Sequence, residues 1–377
     1  MLKCQKNLFD IPADVTYLNA AYMGPLTKEA VEIGKRAVAR KMMPWSIAIS
    51  EFFELPDRIY DLTAKLIGAQ PDDMAIVPSV SYGIAVAAKN IPVSAGQKII
   101  VLADQFPSNI YPWLVLAEEK GAIVETVGWP ENGNWTEALI NAIDNNTAIV
   151  ATANAHWTNG TLIDLVEVSK KTKKMGAALV LDLSQTLGVM PFSVKDVDPD
   201  YMVVVGYKWL LGPFSFGYLY VAPRNQNGKP LEESWIGRRD AHDFARLVDY
   251  KDGYESGARR FDMGEKSNFI HAPIAASVLE YLLDLGVENI AGYLKSLTDY
   301  IAERATAIGL NVAGEEQRVP NLIGINFKGG VPAHIAPALT KNNIFVSIRG
   351  DSIRVSPHIY NDKADIDRFF DVLESEL

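Results

Sequence analysis

Two continuous apolar runs, AALVLDLSQ (177–185) and YMVVVGYK (201–208), constrain this chain more than any other feature. Neither alternates apolar with polar residues, so neither suits a strand with one wet face. Both read as strands covered on two sides, the pattern of a mostly parallel sheet between helical layers. Strand-like and helix-like segments alternate around them from about 75 to 221. They are AIVPSV (75–80), helical SYGIAVAAK (81–89), KIIVLA (98–103), helical YPWLVLAEEKG (111–121), AIVETV, TAIVATA and amphipathic LIDLVEVSKKTKKMG (162–176). The last ends on Lys and Gly, as helix C-termini prefer. Upstream, helices are expected over 28–42 and, after Pro44, over 52–67. The fold class is therefore α/β, and ligands of such sheets gather at the carboxyl ends of the strands.

Past about residue 270 the texture changes. Helices are expected over 272–284 and 288–308, then short strands in NLIGINF, IFVSIRG and SIRVSPH, then a closing helix in ADIDRFFDVLESEL. This predicts a large domain over 18–270 and a small C-terminal α+β domain over 271–377, with residues 1–17 packing on the small one.

A chain of 377 residues that is 48% apolar can bury a large core. Its net charge of −10 argues against nucleic acid or an anionic membrane as partner, since both select basic surface. Cys4 is the single cysteine, which excludes an internal disulfide and cysteine metal clusters. His156, His242, His271, His334 and His358 have no ligand spacing, so no metal is expected. MLKCQKNLFDIP has no apolar signal core, and the expected location is cytoplasmic.

Three polar features fall where a parallel-sheet ligand site belongs. Asp182 ends the strand ALVLD, Lys208 follows MVVVG, and Ser79, Ser81 and Gly83 lie between a strand and a helix N-terminus that favours an anion. Each has a bland alternative: a turn cap, a lysine reaching solvent, or a serine N-cap. Together they form an anion cradle, a carboxylate and a desolvated lysine on one sheet edge, which suits pyridoxal phosphate. The lysine would form the Schiff base and the aspartate would hold the pyridine nitrogen protonated. No GxGxxG, GxxxxGK[ST] or GxSxG motif competes.

YLNAAYMGP (17–25), DLSQTLG (182–188), GYKWLLGP (206–213), GARRFDMGEKSNF (257–269) and SIRVSPHIYN (352–361) resemble the class V aminotransferases of fold-type I. Within them, the resemblance is to the branch shared by isopenicillin N epimerase-like proteins and the selenocysteine lyase/cysteine desulfurase group. It implies a fold-type I PLP-transferase, usually a homodimer with sites at the interface, acting on amino-acid and keto-acid substrates. Lys208 then looks like the Schiff-base lysine and proton shuttle, Asp182 the partner of the pyridine nitrogen, and Gln185 that of the ring hydroxyl. The Val80 backbone and Ser81 would hold the phosphate, with Tyr207 where many relatives have histidine. Phe106 falls at the ring-stacking position and Asn159 near the ring hydroxyl, while Ser267 and Asn268 would reach a neighbouring subunit's phosphate. Arg354 would take the substrate α-carboxylate through its planar fork, with Arg349 a rival. Asn19, Tyr22 and Trp157 complete the substrate side, and Trp235 could line a pocket or simply pack. Arg238/Arg239 and Arg259/Arg260 would bind an acidic side chain or stay solvated.

The desulfurase cysteine loop is missing, because VSIRGDSIRVSPH runs straight through, and Phe106 stands where desulfurases carry histidine. Transamination by one base, Lys208, is the simplest expectation. The alternatives are an epimerase or a β-lyase, and further off a catalytically silent PLP-binding protein. An epimerase needs an acid on the opposite face, for which His156, Tyr22 and Tyr207 are candidates. A lysine-dependent hydrolase or aldolase without cofactor would leave Asp182, Gln185 and the serine-rich helix start without a task.

Overall fold

A computed structural model describes residues 2–377; Met1, the first residue of the expected 1–17 segment, lies outside the described residues. In chain order the strands are Thr16–Tyr17 (β1), Met74–Val77 (β2), Lys98–Leu102 (β3), Ile123–Val127 (β4), Thr147–Thr152 (β5) and Ala178–Asp182 (β6). They continue as Tyr201–Val205 (β7), Gly217–Val221 (β8), Ile323–Asn326 (β9), Ile344–Phe345 (β10), Ser347–Arg349 (β11) and Ser352–Val355 (β12). Seven of them form one sheet in the order β2-β8-β7-β6-β5-β3-β4. The pairs β3–β4, β3–β5, β5–β6 and β6–β7 are parallel, while β8 runs antiparallel to both β2 and β7. The mostly parallel sheet expected from the two apolar runs is observed, with β8 as its one strand running against its neighbours.

Neighbouring residues of those runs go to opposite faces. Val180 and Val203 join one buried cluster with Ile84 and Trp113 from the helices Val80–Asn90 and Tyr111–Lys120. Leu181 and Val204 join the other, which includes Ile59 of the helix Glu51–Ile67 and Leu279 of His271–Leu285. This double covering is why the runs contain no polar position until their ends: each buried Val or Leu contributes about 1.5–3 kcal/mol by leaving water.

Local chemistry sets the boundaries. AIVPSV is a strand only to Val77, because Pro78 cannot continue the ladder and Ser79 caps the next helix through Tyr82 N–H. Gly121 and Gly176 close their helices in the left-handed conformation, at φ 67° and 73°. The expected single strand IFVSIRG divides in two: β10 pairs in parallel with β1, and β11 pairs antiparallel with β12 in a three-stranded sheet completed by β9. A further parallel bridge joins Asn19 to Ser356, so the N-terminal segment is stitched to the strand that carries Arg354. Among the described residues, no helix is long and apolar enough to cross a membrane.

Candidate active site

At the carboxyl ends of β6 and β7 the structure opens a cavity of about 270 Å³ whose wall includes Val80, Phe106, Trp157, Asp182, Gln185, Tyr207 and Lys208. With Ser79, eight of the residues singled out from sequence thus face one space. Asp182 is the last residue of β6, and Lys208 stands three residues past the end of β7.

The turn that presents Lys208 is tightly held. Gly206 N–H donates to Phe216 O at 2.9 Å, Gly212 N–H to Gly206 O at 2.9 Å and Leu211 N–H to Lys208 O at 3.2 Å. Leu211 and Ser215 both adopt the left-handed region, at φ 54° and 59°, which costs a non-glycine residue roughly 1–2 kcal/mol. Such strain persists where the surroundings over-determine it, and here both positions follow the lysine in the same loop. From outside, Gly24 N–H donates to Tyr207 O at 2.8 Å. A Cβ on Gly24 would lie 2.2 Å from Lys208 O, so the YLNAAYMGP block needs glycine there for its backbone to lie on the lysine turn. Gly24→Ala is expected to destabilise the protein by about 1–3 kcal/mol, read as a lower thermal midpoint. A midpoint equal to that of the unsubstituted protein would show that the contact yields freely.

Lys208 is only 7% exposed. Burial pulls its amine down to about 8; Asp182 opposes that shift, while Arg354 and Arg349 add to it. Its Nζ lies 5.3 Å from the centre of the Phe106 ring and 5.9 Å from that of Tyr207. Burial also pushes the Asp182 carboxyl up, against the pull of Ser184 and Lys208. Its Oδ1 accepts from Ser184 N–H at 3.0 Å, and Oδ2 takes no hydrogen bond among the described residues. Gln185 has its Oε1 occupied by Trp209 Nε1–H at 3.0 Å, which turns its amide NH₂ into the group left to donate; that group makes one long contact, 3.4 Å, to Ala21 O.

The helix Val80–Asn90 starts beside them. Its first two N–H groups, on Val80 and Ser81, have no carbonyl to reach, and the Ser79 and Ser81 hydroxyls lie 2.9 Å apart. Gly83 lets this helix sit low on the sheet, since a Cβ there would lie 2.6 Å from Val203 Cγ2.

Other expected site residues lie outside the cavity wall. Arg354, 1% exposed on β12, donates from Nη1 to Trp157 O at 2.9 Å and touches the site through that residue. Asn19 accepts from Ser347 Oγ at 2.8 Å, and Ser347 Oγ in turn accepts from Arg354 Nη2 at 3.5 Å. Ser81 is exposed beside the helix start. Asn159 turns its Oδ1 onto Thr161 N–H and Oγ1 at 3.1 and 2.9 Å. Ser267 donates to Phe52 O at 2.7 Å, and Asn268 Oδ1 accepts from His271 N–H at 3.0 Å. Tyr22 is 56% exposed in a separate cleft with Tyr17 and Phe345. His156 is buried, stacked on Trp135, with one ring nitrogen on Thr158 Oγ1 and the other on Ala103 O, so it has no free nitrogen to offer. Trp235 packs with Phe52 and Phe244. Arg238 pairs with Glu233, and Arg259 with Asp57 and Asp72.

Gln105, Ser184 and Ser215 line the cavity and were not singled out from sequence. Gln105 had a readable signal, since it stands three residues past β3 just as Lys208 stands three past β7. Its Nε2 is buried without a partner.

A buried amine, a buried carboxylate with an open acceptor, a directed amide donor and a free helix N-terminus around one sheet-edge cavity define a class: α/β enzymes built around a lysine and an anionic ring cofactor. The chain belongs to the aminotransferase class-V family, whose model matches residues 50–369 and whose cofactor is pyridoxal phosphate. The uncharacterized aminotransferase YcbU of Bacillus subtilis is 27% identical over 83% of this chain and 81% of its own length. A kynureninase of Bacillus cereus is 25% identical over 84% and 77%. The fold is shared with the cysteine desulfurase of Thermococcus onnurineus NA1, at a TM-score of 0.84 and 19% identity, over 100% of this chain and 98% of that one.

The cavity fits that cofactor on its own observations. The open Oδ2 of Asp182 suits a protonated ring nitrogen, the Gln185 amide a ring hydroxyl, and the Val80 and Ser81 N–H groups a phosphate.

Proposed function

We propose that this chain is an aminotransferase for a small amino acid, with Lys208 Nζ as the one base that removes and returns the substrate's α-proton. The observation that carries this reading is the make-up of the cavity wall: no histidine and no cysteine lines it, and Lys208 is its only amine. Bound pyridoxal phosphate supplies an electron sink that lets the bond at the substrate's Cα ionise. An amine held near 8 exchanges protons readily at neutral pH, which suits a group that must both accept and donate. Asp182 would hold a proton on the ring nitrogen, Gln185 would donate to the ring hydroxyl, and Val80 and Ser81 would fix the phosphate. Phe106 would cover one ring face and exclude water. Arg354 would take the α-carboxylate.

Cys4 does not line the cavity and lies against Tyr293, which speaks against a persulfide-forming reaction despite the desulfurases among the relatives. With His156 enclosed and Tyr22 in another cleft, Tyr207 is the remaining candidate for an opposite-face acid. It neighbours Lys208 in sequence, and burial pushes its phenol up, which makes it a weak acid at neutral pH. We read the working form as a homodimer in which Ser267 and Asn268 approach the partner's cofactor; Trp45, 81% exposed, and Tyr250, 91% exposed, are apolar surface suited to cover.

The test uses purified holoprotein, its expected dimeric state checked by light scattering, with a panel of single amino acids and a keto-acid acceptor. Keto acid should appear in step with the new amino acid, with no ammonia. Ammonia release would move the reading to a lyase; loss of optical activity without keto acid would move it to an epimerase.

A further inference from the structure

Arg349 and Arg354 stand on one face of one hairpin. The register pairs Ser347 with Arg354 and Arg349 with Ser352, so Ser347, Arg349, Ser352 and Arg354 share a face while Ile348 and Ile353 take the other. The two arginines are diagonal neighbours across the pair, a spacing of about 7–8 Å along the backbone. Both guanidiniums flank the indole of Trp157, at 5.5 and 5.9 Å from its centre, and Trp157 lines the cavity.

Neither arginine makes an ion pair among the described residues, and the Nε of each is buried without a partner. Arg349 Nη1 donates only to the carbonyl of its neighbour Ile348, at 2.7 Å. A desolvated guanidinium without a carboxylate is costly, and two side by side are costlier. The electrostatics run the same way: burial lowers Arg354 and Arg349 adds to it, and burial lowers Lys208 with a smaller push from both arginines. Of these three cations only Lys208 is coupled to a buried carboxylate, Asp182. One substrate α-carboxylate would satisfy one fork and leave the other bare.

We infer that Arg349 is a specificity-determining residue that binds a second carboxylate, on the side chain of a dicarboxylic amino-acid substrate, while Arg354 holds the α-carboxylate. The assignment follows from depth: Arg354 is 1% exposed and anchored on Trp157 O and Ser347, whereas Arg349 is half-buried and tied only to its own strand. This inference rests on the reading of the Lys208 cavity as an amino-acid site.

The test is the calorimetric affinity of the holoprotein for glutarate, which carries two carboxylates and no amine, against butyrate, which carries one. Glutarate should bind at least about tenfold tighter, the yield of one further bidentate ion contact. Arg349→Gln should remove that ratio and leave butyrate unchanged; Arg349→Lys, which keeps the charge but not the fork, should restore part of it. Arg354→Gln should weaken both ligands. Equal affinity for the two acids, binding of neither, or a ratio untouched by Arg349→Gln overturns the inference. Because no turnover is read, the proposed reaction fails separately. A glutarate preference with no keto acid from glutamate or aspartate would sink transamination and leave the dicarboxylate site standing. Pyruvate from alanine without a glutarate preference would do the reverse.

Discussion

Lys208→Ala is expected to abolish turnover, by more than about 10,000-fold, because it removes both the nucleophile and the proton carrier of the cavity. Borohydride treatment followed by mass measurement should fix the cofactor to Lys208 in the unsubstituted protein and to no residue in the variant. A variant that still turns over, or a label found on another lysine, would displace Lys208 from the centre of the mechanism. The same side chain has a thermodynamic signature in the cofactor-free protein. Its pKa is about 8 in the folded state against 10.5 ordinarily, so between those values the unfolded chain binds more protons than the folded one. Stability therefore rises with pH across that window, and below about 8 the full cost of burying the ammonium is present, roughly 3 kcal/mol. Lys208→Met removes the cost. The cofactor-free variant should be the more stable protein at pH 7, and the difference should close as pH rises past 10. Parallel stability curves for the two proteins would show that Lys208 is not held in the way its burial implies.

That exchange of stability for function explains which parts of the site were readable in advance. Lys208 and Asp182 stood out because each closes an apolar run with a charge, and although a turn cap or a lysine reaching solvent could explain either alone, the two fall together on one sheet edge. Gln185 and Val80 were reached through motif blocks adjacent to those strand ends. Gln105 occupies the same position relative to its own strand as Lys208, but an uncharged amide in a loop carries no charge to betray it. Arg354 and Arg349 are a different case. Their partnership depends on the division of IFVSIRG into β10 and β11, since a single continuous strand would give no reason to fold the second half back against β12. Alternation is short there, and the break at Val346 is imposed by β1, a segment more than three hundred residues earlier. Propensity and periodicity are local, so a strand that changes partners midway is invisible to them. Ser267, Asn268 and Tyr22 are a third case. Motif position brought them forward, while within this chain their side chains serve caps, carbonyls and a separate cleft.

Asp182→Asn should separate cofactor chemistry from cofactor binding. The amide keeps the size and can still accept from Ser184 N–H, so the fold and the helix-end phosphate contacts survive. What it loses is the negative charge that would hold a proton on the ring nitrogen. Without that charge the ring is a poorer electron sink, and turnover is expected to fall by at least about 100-fold, the scale of losing one charge-stabilising group at a reacting centre. Cofactor affinity should fall far less, because the phosphate contacts remain. Stability moves the other way. Burial pushes the Asp182 carboxyl up, so the folded protein binds more protons than the unfolded chain as pH rises through the carboxylate range. Its cost is absent at low pH and present at neutral pH, where an uncharged amide does not bear it. The cofactor-free variant should thus match the unsubstituted protein in acid and exceed it at pH 7, while loading with cofactor narrows the gap, because the cofactor's ring cation compensates the carboxylate and not the amide. Equal stability gains on loading in both proteins would mean that Asp182 does not meet a cation there. Retained turnover would mean that the ring nitrogen needs no proton.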